Sequence, residues 1–244
     1  MGNILGTNGE KLREAARAGR QEEVDRLIGA GASVDSQDKV YGYTALMMAS
    51  CSGYGSIVES LIRAGATVDM QDKVYGYTAL IMASCNRHGS IVESLIRAGA
   101  SVDIQDKKGC TTLLWASRNG HGSIVDSLIR AGASVDMQDK VYGWTALIWA
   151  SCNGHGSIVD SLLQHYRFIY YSGVDPNPPR RLLSPAAGTE SLINESLISL
   201  VSTSRALCVT TLLADNFVYM NVDSTEELVH MLFTEYNDSN LSTT

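Results

Sequence analysis

The clearest pattern in the chain is an apolar block followed by a mixed one. From residue 44 the sequence reads T-A-L-M-M-A-S, and past Gly53 it reads S-I-V-E-S-L-I-R-A-G. In the second block Val58, Leu61 and Ile62 fall at the spacing of a buried helical stripe, with charged residues between them. In the first block Leu46, Met48 and Ala49 form an apolar run that needs a neighbour to cover it. Each pair of blocks therefore predicts two short antiparallel helices joined by a turn.

The pair returns along the chain. G-Y-T-A-L begins at 42 and again at 76, G-C-T-T-L at 109 and G-W-T-A-L at 143, spacings of 34, 33 and 34 residues. The phrase S-I-V-E/D-S-L follows each time, shortened at the end to SIVDSLLQHYR. A period in this range marks a solenoid, in which no unit buries its apolar face alone and neighbours must stack.

Start and stop signals sharpen the units. Thr44, Thr78, Thr111 and Thr145 stand where a hydroxyl can accept a bond from an unpaired backbone N–H of the first helix. Gly53, Gly120 and Gly154 fit the left-handed position that closes it, and Arg87 occupies that position in one unit, at a cost of about 1 kcal/mol if it turns left-handed. Ser56 to Glu59, Ser90 to Glu93, Ser123 to Asp126 and Ser157 to Asp160 predict a capping box at each second helix, which Gly65, Gly99 and Gly132 should end. Thr7 and Glu10 predict the same box at an opening helix.

With 45% apolar and 18% charged residues over 244, the chain can bury a core. The net charge is -7, and residues 172–244, with 3 basic and 9 acidic side chains, carry most of it. No basic stripe is present to neutralise phosphates, so nucleic acid is not an expected partner. No apolar leader precedes a small-residue cleavage site, and Glu195 and Arg205 interrupt the longest apolar stretch of the tail, so no stable membrane span is expected. Five cysteines, three of them (Cys51, Cys85, Cys152) at one repeat position, read as reduced thiols of a cytoplasmic or nuclear protein rather than as metal-ligand pairs.

GYTAL-MMAS-CSGYGSIVESLIRAGATVD resembles the ankyrin repeat, whose usual pattern is G-x-T-P-L-H-x-A-x-x-x-G-H-x-x-I-V-x-x-L-L-x-x-G-A. The resemblance covers residues 10 to about 166, with 12–35 looking like the more polar first repeat. It implies an all-α ankyrin-repeat solenoid of about five repeats, near 9–37, 38–71, 72–104, 105–138 and 139–166, after a flexible start at 1–8. Beyond the array, which runs to 171, a proline-containing linker is expected at 172–188, a partly helical tail at 189–236 and disorder at 237–244.

Three departures qualify the likeness. Met47, Ile81, Leu114 and Ile148 replace the family's histidine, so apolar packing must substitute for its hydrogen bond. The turns before Gly42, Gly76 and Gly143 read D-K-V-Y-G, one residue longer than Asp106-Lys107-Lys108-Gly109. Tyr166 and Arg167 stand where Gly-Ala should end the fifth unit.

The family's partner-contacting positions are the hairpin tips and the exposed side of the first helix, which line a concave surface. Carried over, they are Lys39, Tyr41, Tyr43 and Cys51 in the second repeat, then Lys73, Tyr75, Tyr77, Cys85 and Asn86 in the third. Lys107, Lys108, Cys110, Arg118 and Asn119 follow in the fourth, and Lys140, Tyr142, Trp144, Cys152 and Asn153 in the fifth. Rigid aromatics suit a recognition surface, and the lysines beside them favour an acidic or mixed protein partner. The plain alternative is that the tyrosines only shield hairpin backbone. Trp115 and Trp149 align with Met48 and Met82, which makes them core residues, and Asp35, Asp69, Asp103 and Asp136 should accept local backbone bonds. His88, His121 and His155 follow the period and are structural, not metal ligands.

No nucleophile–base pair or phosphate-cradling glycine loop is visible, so no enzyme, catalytic residue, metal or cofactor is expected. The reading is a monomeric protein-interaction module or scaffold. The alternative is an adaptor whose tail recruits signalling or ubiquitin-ligase machinery while the array selects the client. At the ends, Gly2 raises N-myristoylation and weak membrane association, Pro176 to Arg181 has the form P-x-x-P-x-R, and Ser184 is a candidate phosphosite.

Overall fold

A computed structural model describes residues 7–172, with side chains through 165. The expectations placed on Gly2, on Pro176 to Arg181, on Ser184 and on the tail helices lie outside the described residues. Ten helices and no strand are found among the described residues. They are α1 (Asn8–Arg17), α2 (Gln21–Gly29), α3 (Ala45–Ser52), α4 (Gly55–Arg63), α5 (Ala79–Cys85), α6 (Gly89–Arg97), α7 (Thr112–Asn119), α8 (Gly122–Arg130), α9 (Ala146–Cys152) and α10 (Gly156–Ser172). The chain falls into two compact units that part between Ala146 and Leu147.

In the first unit the helices form two layers. α1, α3, α5 and α7 pack in sequence order in one, and α2, α4, α6 and α8 in the other. Each helix of the first layer also packs on the partner that follows it in the chain. The core lies between layers and between repeats, where Leu46, Leu61, Leu80, Leu95, Leu113 and Leu128 are buried. Fully burying one such side chain contributes about 1.5–3 kcal/mol, so the periodic leucines hold successive pairs together. Met47, Ile81 and Leu114 are buried too, so apolar packing does replace the family's histidine at these positions.

First helices start as expected. The hydroxyls of Thr44, Thr78 and Thr111 accept from the amides of Met47, Ile81 and Leu114 at 3.2 to 3.3 Å, and Thr7 with Glu10 closes a full capping box on α1. Second helices do not. They begin at Gly55, Gly89 and Gly122, with Tyr54, His88 and His121 in the cap position, where their side chains make no bond to the helix's own amides. The cause lies in the preceding turn. Tyr54 N–H reaches back to the Ala49 carbonyl at 3.0 Å and Gly55 N–H bonds the Gly53 carbonyl at 3.1 Å, which starts the helix early and leaves Ser56 inside its first turn.

Left-handed closure falls where it was expected, at Gly53 (φ 83°), Gly120 (φ 76°) and Gly154 (φ 73°). Arg87 adopts the same conformation at φ 62° and is the non-glycine residue that does so among the described residues. In the second unit α10 runs for 17 residues where α4, α6 and α8 have 9. Nothing in SLLQHYR supplies the glycine that closes the other second helices, so the helix continues.

Candidate functional site

Each hairpin tip is built around one carboxylate. Asp38 accepts the amides of Val40, Tyr41 and Tyr43 at 2.7 to 2.9 Å, and Asp72 accepts those of Val74, Tyr75 and Tyr77 at 2.7 to 2.8 Å. In the shorter tip Asp106 holds Lys108 and Cys110, and Asp139 holds Val141 and Tyr142. Burial alone would raise Asp38, but the tip amides outweigh it and hold its carboxyl below the usual value of 3.8. The long tips carry Val-Tyr where the short tip carries Lys108 alone, and the valine is exposed.

Neighbouring tips are tied by backbone. Lys73 N–H donates to the Tyr41 carbonyl at 2.7 Å, Lys107 N–H to Tyr75 at 2.9 Å and Lys140 N–H to Lys108 at 2.7 Å. A side chain at Gly42 or Gly109 would meet the following lysine's backbone nitrogen at 2.9 or 2.8 Å, so glycine is required there for the close approach as well as for the positive φ. Behind the tips runs a glutamine ladder that the sequence reading missed. Gln37 donates to the Gln71 carbonyl at 3.1 Å, Gln71 to Gln105 at 2.9 Å and to Gly76 at 2.7 Å, and Gln105 to Gly109 at 2.9 Å. The recurrence of glutamine one residue before each tip aspartate was the available signal.

The loop aspartates act between repeats rather than locally. Asp35 accepts both the amide and the hydroxyl of Thr67 (2.9 and 2.6 Å), and Asp69 and Asp103 do the same with Ser101 and Ser134. A carboxylate in each turn thus reaches the Thr or Ser that starts the next one. The histidines are structural bridges of the same kind: His88 Nε2 lies 3.2 Å from the Cys51 carbonyl and His121 Nδ1 2.8 Å from that of Ser84.

The aromatic residues pair within each tip and then across repeats. Tyr41 stacks on Tyr43 and Tyr75 on Tyr77, both at 5.4 Å, while Tyr142 tilts against Trp144 at 5.2 Å. Trp115 is not a core residue. Its ring meets Tyr77 edge-on at 5.8 Å, lies under the Arg118 guanidinium at 5.3 Å and donates its indole N–H to Asp106 at 3.0 Å. The reason is local: Cys110 occupies the place of Tyr43, Tyr77 and Trp144, so in this repeat the large ring comes from the helix instead. Trp149 and Met82, by contrast, are buried as expected.

Of the candidate contact residues, Lys39, Lys73, Lys107, Lys108 and Lys140 are exposed, as are Tyr41, Tyr75 and Tyr142. Tyr43, Tyr77 and Trp144 are half-buried, and burial, with Cys85 and Asp106 nearby, pushes the Tyr77 hydroxyl up to about 12. Cys51, Asn86, Arg118 and Asn119 are exposed, and Asn86 donates to the Met82 carbonyl at 2.8 Å. Cys110 is a correction: it is buried beneath the short tip, where its amide is held by Asp106, and it presents no surface. Cys85 is half-buried, and burial pushes both thiols up to about 12, which keeps them protonated. In the second unit Cys152 is half-buried and Asn153 is exposed, with its amide on the Trp149 carbonyl at 2.8 Å.

The helices α3, α5 and α7 carry no acidic residue. The first unit therefore presents an aromatic and cationic face whose tip carboxylates are spent on backbone amides. Among the described residues no group of three or more His, Cys, Asp or Glu could hold a metal ion, and no helix is long and apolar enough to cross a membrane. A family model described as ankyrin repeats (3 copies) matches residues 12–106 and 82–177. No curated protein matches the chain.

Proposed function

Since the chain belongs to the ankyrin-repeat family, whose arrays are generic protein–protein interaction modules, we propose that it binds a partner protein on the hairpin and first-helix face of its first unit. The observation that carries this reading is the group formed by Tyr77, Trp115 and Arg118. Two successive repeats contribute to it, it is partly open to solvent, and it lies on a face without helix carboxylates. Aromatic and arginine side chains of this kind dominate binding energy at protein interfaces. Backbone and side-chain ladders between tips hold them in place before a partner arrives, which lowers the entropy cost of association. The role is scaffolding rather than catalysis, and a cytoplasmic setting suits the free thiols Cys51, Cys85 and Cys110.

The test is affinity capture with the full chain and with the Tyr77→Ala/Arg118→Ala variant, scored by quantitative mass spectrometry beside thermal melts. The reading requires a set of proteins lost from the variant while the melting temperature stays close to that of the parent. An unchanged set on a folded variant sinks it.

A further inference from the structure

The large apolar side chains that stand exposed are not scattered. Among the described residues they are Val40, Tyr41, Val74, Tyr75, Val141 and Tyr142, with Tyr54 elsewhere. All six lie on the three long D-K-V-Y-G tips, with Val40 70% exposed, Val141 57% and Tyr142 54%. Water contact at so many apolar atoms along one series of tips is unfavourable unless something covers them. The Val-Tyr pair, which the short tip lacks, supplies that area.

Charge on the same edge is sorted by direction. Each tip exposes a lysine, and the short tip exposes two, Lys107 and Lys108, with the Lys107 ammonium also donating to the Lys73 carbonyl of the tip before it. The tip carboxylates turn inward: Asp72, Asp106 and Asp139 are buried and all four bind backbone amides. An approaching molecule thus meets valine, tyrosine and ammonium, with an all-lysine stretch where the third tip interrupts the apolar series. Backbone bonds between tips fix this order.

Taking the protein-binding reading above as the premise, we infer that the outer edge of the hairpin tips, beside the Tyr77, Trp115 and Arg118 group, receives an extended acidic segment of the partner. Its apolar side chains cover the Val–Tyr tips, and its carboxylates lie opposite Lys107 and Lys108. Stacked helices are spaced by about 10 Å, which a polyproline-II-like chain crosses in about three residues with the same side facing the tips, so apolar residues should recur about every third position, with an acidic one opposite Lys107 and Lys108. A nucleic acid fits worse, since its backbone is charged at every unit and offers the valines nothing.

The experiment selects phage-displayed random peptides of about 16 residues on the full chain, long enough to span the tips. Synthetic versions of the enriched sequences are then measured by fluorescence anisotropy, beside a labelled oligothymidine. The inference predicts acidic peptides with apolar residues at that spacing and binding that weakens with salt. It also predicts that affinity falls about tenfold or more in Lys107→Glu/Lys108→Glu and in Val74→Ser/Val141→Ser. Enrichment without acidic bias, tighter binding of the oligothymidine, or no enrichment at all overturns it. If peptides bind but are lost only in Tyr77→Ala/Arg118→Ala, the edge inference fails while the proposed function stands.

Discussion

The indole N–H of Trp115 donates to the carboxylate of Asp106 at 3.0 Å, which ties the second turn of a first helix to the hairpin tip of its own repeat. The same carboxylate holds the amides of Lys108 and Cys110, so losing the indole leaves one of its oxygens short of a donor. Trp115→Phe should keep most of the contact with Tyr77 and cost about 1.5–3 kcal/mol, through one hydrogen bond to a charged group. Urea denaturation of the variant checks the value, and an unchanged midpoint would mean that the bond contributes nothing.

Helix starts separate what the sequence signalled from what the turn imposes. Thr78→Ala should cost about 1 kcal/mol, the usual worth of an N-cap. Ser90→Ala, at the position expected to cap α6, should stay within about 0.5 kcal/mol because Ser90 is an exposed residue of the first turn and not its cap. Denaturation midpoints of the two variants decide it; equal losses would restore the capping box.

That pair shows what could be read in advance and what could not. Thr44, Thr78 and Thr111 cap as expected because the geometry is local to four residues. Ser56 was misjudged because the Gly53–Tyr54 turn uses backbone bonds that no residue type announces. Asp35 and Trp115 were misplaced for a related reason: their partners, Thr67 and Tyr77, lie in a neighbouring repeat. The stacking that brings them together follows from the period, but its register at the level of single atoms does not. The exposure of the tip lysines and of Tyr41, Tyr75 and Tyr142 was legible from their place in the repeat, whereas the half-burial of Tyr43, Tyr77 and Trp144 and the burial of Cys110 depend on what packs against them.

Arg87 offers a gain of stability. Its φ of 62° lies in the region that glycine adopts without cost, so Arg87→Gly should stabilise the array by about 0.5–1 kcal/mol. A rise in the melting temperature checks this, and a fall would show that the arginine side chain contributes more than the strain removes.

Acid should loosen the tips. Asp38 is held below its ordinary value of 3.8, so its contribution is present above that value and is lost as pH falls through the lower folded one. Stability of the parent should therefore drop below about pH 4, and Asp38→Asn should show a shallower fall over that window from a lower starting point. Urea midpoints between neutral and acidic pH report it; parallel curves would remove Asp38 as a cause.

The most direct measurement of the binding claim places a photo-crosslinking phenylalanine analogue at Tyr75 on a hairpin tip in one chain. In another it replaces Glu59, which is exposed on a second helix, and both are irradiated in cells. Discrete crosslinked products are expected from position 75 and none from position 59. Products from 59 with none from 75 would contradict it.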